Sequence, residues 1–124
     1  MRYIMLIYSQ ENEAVTPEDM RAVAAAHTAL MDEVRRRGIL CAADPLQASS
    51  TATLVRVQGG DALITDGPYA ETKEQLAGYY ILDCKDLDQA LAWAAKIPTA
   101  CAGIAGCVEV RPIREFPQPA PVNG

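Results

Sequence analysis

Hydrophobic positions in this chain follow two different periods, and the change from one to the other marks out the elements. Tyr3 to Tyr8 is an unbroken apolar run of strand length, the pattern of a strand covered on both faces. Thr16-Pro17-Glu18-Asp19 then reads as a helix start: Thr16 caps, Pro17 suits the first turn, and two acids face the positive helix end. Met20, Val23, Ala24, Met31 and Val34 follow at helical spacing. Arg35-Arg36-Arg37 suits the negative end of that helix, and Gly38 is placed to close it. Ile39 to Leu46 reads as a second strand, interrupted late by Asp44-Pro45. Thr51 to Val57, rich in β-branched residues, reads as a third. Gly59-Gly60-Asp61 turns the chain into a fourth strand, Ala62 to Thr65, and Gly78 to Cys84 is a fifth. Asp86, with Gln89 three residues on, starts a second helix whose stripe is Leu87, Ala90, Leu91, Ala94 and Ile97, stopped by Pro98. Val108 to Ile113 is the last strand, and Pro112 places its end at an edge or past its pairing.

This order of elements, with two helices and mostly antiparallel strands, predicts an α+β fold of the ferredoxin-like sandwich kind. Two helices cover only one face of such a sheet. Strands such as Tyr3–Tyr8 and Tyr79–Leu82 nevertheless carry apolar residues toward both faces. A second copy packed on the uncovered face by two-fold symmetry is the expected solution, so a homodimer through the sheet is predicted. The domain is expected to span residues 1–116. Pro117, Pro119 and Pro121 then mark residues 117–124 as a flexible proline-rich tail.

Composition narrows the function. The chain has 124 residues, enough for one domain, and half of them are apolar. A net charge of −5 argues against nucleic acid as a partner, because that affinity comes largely from neutralising phosphates. No apolar stretch approaches the roughly 18 residues of a membrane span. The start, Met1-Arg2 and then Tyr3 to Tyr8, imitates a signal peptide but lacks a small-residue cleavage site, so a cytoplasmic location is expected. Cys41, Cys84, Cys101 and Cys107 show no C-x-x-C spacing, and there is one histidine, so no metal site is predicted. Cys41 and Cys84 are expected to be buried in strands, and Cys101 could approach Cys107 across the intervening glycines. No phosphate-cradling glycine loop is present, and no cofactor is expected.

The chemistry-bearing residues concentrate in two places. Asp66 ends a strand at the Gly67-Pro68 turn, and Glu71, Lys73 and Glu74 crowd the loop that follows. His27 lies on the inward face of the first helix, where a polar ring needs a hydrogen-bond partner. With Asp66 at the rim of the sheet beneath that helix, a His27–Asp66 pair is expected, with a raised histidine pKa and the capacity for general acid–base work. The competing structural readings are a histidine satisfied by a backbone carbonyl and an aspartate that fixes its own turn. Arg111 alternates with Val108 and Val110 on the last strand and could bind a carboxylate bidentately or pair with an acid across the dimer. Tyr79, Tyr80 and Trp93 read as packing residues.

The run Asp66-Gly67-Pro68-Tyr69-Ala70-Glu71-Thr72-Lys73-Glu74 closely resembles the signature of the DGPFAETKE proteins, which sit with the YCII-related family in the dimeric α/β-barrel group. The resemblance extends to Ile113 and takes in Met1-Arg2-Tyr3, the His27 helix, the Asp86–Pro98 helix and Val108 to Pro112. Tyr69 stands where the signature has Phe, adding a hydroxyl, and Cys41-Ala42-Ala43-Asp44 departs from a stretch that more often carries Gly and Glu. The resemblance implies a His–Asp pair in a cleft and a connection to sigma factors of the extracytoplasmic-function type. Two functions are therefore expected to compete. One is a cofactor-free isomerase or lyase on a small polar or anionic metabolite. There His27 and Asp66 transfer protons, while Tyr69, Glu71, Lys73, Glu74 and Arg111 bind the substrate. The other is a sensor or interaction module for transcription control, without turnover.

Overall fold

The computed structural model describes residues 1–11, 14–99 and 106–117 of the chain. Its elements are β1 (Arg2–Gln10), α1 (Pro17–Arg36), β2 (Leu40–Pro45), a short 3₁₀ turn (Ser49–Thr51), β3 (Thr53–Gln58), β4 (Asp61–Asp66), β5 (Glu74–Asp83), α2 (Leu87–Ala94) and β6 (Gly106–Pro112). An α+β architecture results, with an antiparallel four-stranded sheet in the order β2-β5-β1-β6.

Alternation along the central strands decides what each face does. Tyr3, Met5 and Ile7 of β1, with Tyr80 and Leu82 of β5, point to the helical side and are buried. Leu30 and Val34 of α1 and Ala90, Trp93 and Ala94 of α2 complete the same cluster. Met5, Leu82 and Val34 are fully buried, each a contribution of roughly 1.5–3 kcal/mol relative to exposure. Ile4, Leu6 and Tyr8, with Tyr79 and Ile81 opposite, face the other way and stay partly exposed. The register puts Glu109 and Arg111 of β6 on that open face, beside Leu6 and Ile4, with Val108 and Val110 turned inward.

Helix α1 starts as its sequence dictates. Thr16 accepts from the Asp19 amide at 3.1 Å, and Asp19 accepts in return from the Thr16 amide at 3.0 Å, a closed capping box. Arg35 and Arg36 occupy its last turn, followed by Gly38. At that end Glu33 lies 3.8 Å from Arg37 and 3.6 Å from Lys96, and both cations lie against the Trp93 ring. This cluster fastens α1 to the chain just past α2.

Three expectations change here. Strands β3 and β4 form a separate hairpin instead of joining the main sheet, because β4 pairs with β3 and β5 pairs with β1 and β2. Gly59 and Gly60, both at positive φ, make its two-residue turn. The inward face of α2 is rotated from the expected stripe: Leu87 and Leu91 are about half exposed, while Trp93 is buried. Cys41 is exposed, because the ladder slips between Leu40 and Ala42; Cys84 is buried just beyond β5. The expected approach of Cys101 to Cys107 and the tail beyond Pro117 lie outside the described residues. Among the described residues, no helix is long and apolar enough to cross a membrane.

Candidate functional site

The apolar stripe of α1 divides in two. Its C-terminal part, Leu30 and Val34, is packed into the core. Its N-terminal part (Met20, Val23, Ala24 and His27) lines a cavity of about 660 Å³ between the helix, the sheet and the segment after β2. Met31, Ala43, Pro45, Leu46, Leu76 and Ala77 contribute further apolar wall. The spacing that reads as core in the sequence thus serves a cavity over its first two turns.

His27 and Tyr80 meet in this cavity. Strand register opposes Tyr80 to Met5 on one side and Ala43 on the other, which aims its ring at α1. The Tyr80 hydroxyl lies 2.7 Å from His27 Nδ1, and the two rings meet edge to face at 5.8 Å between centroids. Burial holds the His27 imidazole below its usual pKa, and hydrogen bonding to the Pro98 backbone partly offsets this. Burial pushes the Tyr80 phenol up to about 12. The two groups therefore form a neutral hydroxyl–imidazole pair at neutral pH, able to accept and to donate a proton.

Gly78 shapes the wall opposite. A Cβ there would sit 2.9 Å from the Asp44 carbonyl oxygen and 3.2 Å from the Pro45 Cα. Only glycine lets the end of β2 lie this close to β5. On the open face, the Tyr79 hydroxyl donates to Asp44 at 2.6 Å.

A second, polar cavity of about 480 Å³ adjoins the first and shares Gln10 and Glu11 with it. Ser49, Glu71, Thr72, Lys73 and Gln75 complete its lining. Glu11 accepts from the Ser49 amide at 2.6 Å and its hydroxyl at 2.8 Å. Gln75 Nε2 donates to the carbonyls of Ala70 and Thr72, which fixes the loop carrying Glu71 and Lys73.

The expected site residues are dispersed by this arrangement. His27 lies in the apolar cavity, and Glu71 and Lys73 in the polar one. Glu74 opens β5 and accepts from the Cys107 thiol at 3.4 Å. Tyr69 is exposed, with the Arg56 guanidinium 5.5 Å from its ring centre. Arg111 is exposed on the open face of the sheet. Asp66 is exposed at the end of β4, opposite Thr53, and lines neither cavity.

The expected His27–Asp66 pair is thus corrected. Strand β4 belongs to the hairpin and not to the sheet beneath α1, so its end does not reach the histidine, whose partner is Tyr80. The expected direction of the His27 pKa is reversed for the same reason: burial acts on the ring with no carboxylate to counter it. Tyr80 is the residue that sequence reasoning assigned only to packing. Its shared parity with Leu82 and Cys84 was the available signal, since those residues face the helices and Tyr79 does not. Among the described residues, no group of three or more His, Cys, Asp or Glu side chains is arranged to hold a metal ion.

Comparison with known proteins gives a consistent placement. Residues 1–117 match the YCII-related domain. An uncharacterised protein of Rhizobium meliloti (strain 1021) is 35% identical over 115 residues, covering 91% of this chain and 92% of its own length.

Proposed function

Since this chain belongs to the YCII-related family, and its apolar cavity holds one polar contact pair, we propose that it is a small-molecule-binding protein whose ligand sits against His27 and Tyr80. The observation that carries this reading is the 2.7 Å hydroxyl–imidazole contact inside a largely apolar wall. With Nδ1 held by the Tyr80 hydroxyl and the ring also bonded to the Pro98 backbone, proton transfer runs through the tyrosine: its oxygen takes a proton from the ligand as its own proton passes to Nδ1, and the reverse step returns it. That is the equipment of cofactor-free isomerase or lyase chemistry. Asp66, which lines neither cavity, takes no part in this chemistry, and Glu71, Thr72 and Lys73 line the adjoining polar cavity.

The strand order β2-β5-β1-β6 supports assignment to the ferredoxin-like sandwiches. The partly exposed Ile4, Leu6, Tyr8, Tyr79 and Ile81 support a homodimer through the open face. A second reading, an interaction module in transcription control, draws on the hairpin, where Val57 and Ile64 are about 70% exposed.

A thermal-shift screen of a metabolite collection tests the proposal, with wild type beside His27→Gln and Tyr80→Phe. Ligands that stabilise wild type are expected to stabilise both variants less. Proton exchange of each hit in D₂O, followed by NMR, then separates turnover from sensing. Hits that stabilise both variants as well as wild type would remove the cavity as the site.

A further inference from the structure

The lining of the cavity bears on charge as well as on shape. Val15, Met20, Val23, Met31, Leu46 and Leu76 give it long apolar walls. Its titratable side chains are His27, Tyr80 and Glu11, since Asp44 turns its carboxylate to Tyr79 on the open face; among the described residues no lysine or arginine lines it. Lys73, the nearest cation in the sequence motif, lines the neighbouring polar cavity instead, and Arg111 is on the opposite face of the sheet. An anionic ligand would therefore lose its hydration with no compensating charge and would meet the Glu11 carboxylate. A cationic ligand gains little from that carboxylate, because Glu11 already accepts from the Ser49 amide and hydroxyl.

We infer that the ligand of this cavity is an uncharged, largely hydrophobic molecule that presents a single hydroxyl or carbonyl oxygen to His27 and Tyr80. This rests on the reading of the cavity as the ligand site, and it replaces the anionic metabolite expected from the sequence. The polar end is matched by one hydroxyl and one imidazole, and most of the remaining wall is apolar. A cavity of about 660 Å³ accommodates a compact two-ring molecule.

Three probes of one shape test the inference by calorimetric titration of the full chain: 1-naphthalenemethanol, 1-naphthoate and 1-naphthylmethylammonium. The alcohol is expected to bind about tenfold or more tightly than either ion. Ala24→Phe and Met20→Trp fill the cavity from exposed positions and are expected to abolish binding with the circular dichroism unchanged. Tyr80→Phe is expected to weaken the alcohol several-fold. If an ion binds as well as the alcohol and both filling variants still abolish it, the cavity stands as the site and the inference about charge falls. If the filling variants leave the alcohol's affinity intact, the cavity itself is not the site. Failure of all three probes to bind overturns the inference. A binding capacity that falls as protein concentration rises would assign the cavity to a second copy of the chain, with the same consequence.

Discussion

His27 shows how far one residue's surroundings can be read without coordinates. Its place on the inward side of α1 follows from helical spacing, because it is four residues from Val23 and Met31. Its partner does not follow, since pairing depends on which strand lies beneath the helix. Asp66 and Tyr80 both sit in strands, and only the register distinguishes them. The pH behaviour follows from the partner found. With the folded pKa lowered by burial, the unfolded chain takes up a proton first as pH falls. The stability contribution is whole above the unfolded value of about 6.5 and is lost as pH falls from there through the lower folded value. NMR titration of this single imidazole is expected to give a midpoint below 6.5 that Asp66→Asn leaves in place, and His27→Gln is expected to remove the slope of stability across that window. A midpoint above the unfolded value, sensitive to Asp66, would restore the pairing that the sequence suggested.

Among the elements, α1 was the most legible, because its signals are local. Thr16, Pro17 and Asp19 act within one turn of the backbone, and the structure shows the reciprocal cap they spell. Thr16→Ala is expected to lower stability by about 1 kcal/mol, measured by urea unfolding, with an unchanged m-value. A loss near zero would mean that the first turn frays in solution. Signals that act over longer range were less legible. In the eight residues of α2, Leu87 and Leu91 define one helical face, and Ala90, Trp93 and Ala94 another. Burial of Trp93, the largest side chain, decides between them. The hairpin was recognisable from Gly59-Gly60, yet its detachment from the sheet was not. The apolar spacing of β3 and β4 looks the same whether they join the central strands or stand apart. The cavity was hidden for a related reason: Met20, Val23 and Ala24 have helical spacing whether they meet other side chains or an open space.

For the whole molecule, the unsatisfied surfaces are the open face of the sheet and the hairpin. Val55 pairs across the hairpin with Ile64, and Val57 with Ala62, so one face of a two-stranded unit is apolar and solvent-facing. A two-stranded hairpin alone is marginal in water. Light scattering is therefore expected to give twice the 13.4 kDa chain mass at micromolar concentration. Arg111→Glu is expected to weaken the assembly if Glu109 and Arg111 meet their counterparts on the partner's sheet; a monomer of unchanged stability would leave those surfaces for another protein. The strand order carries a separate consequence, for synthesis. Strand β1 lies at the centre of the sheet, between β5 and β6, whose residues are made some 70 to 100 positions after it. Before the C-terminal half has emerged, Tyr3, Met5 and Ile7 lack both neighbouring strands and every core partner outside α1. The nascent domain therefore carries an apolar strand without its sheet partners while most of it is being made, and its completion waits on β6.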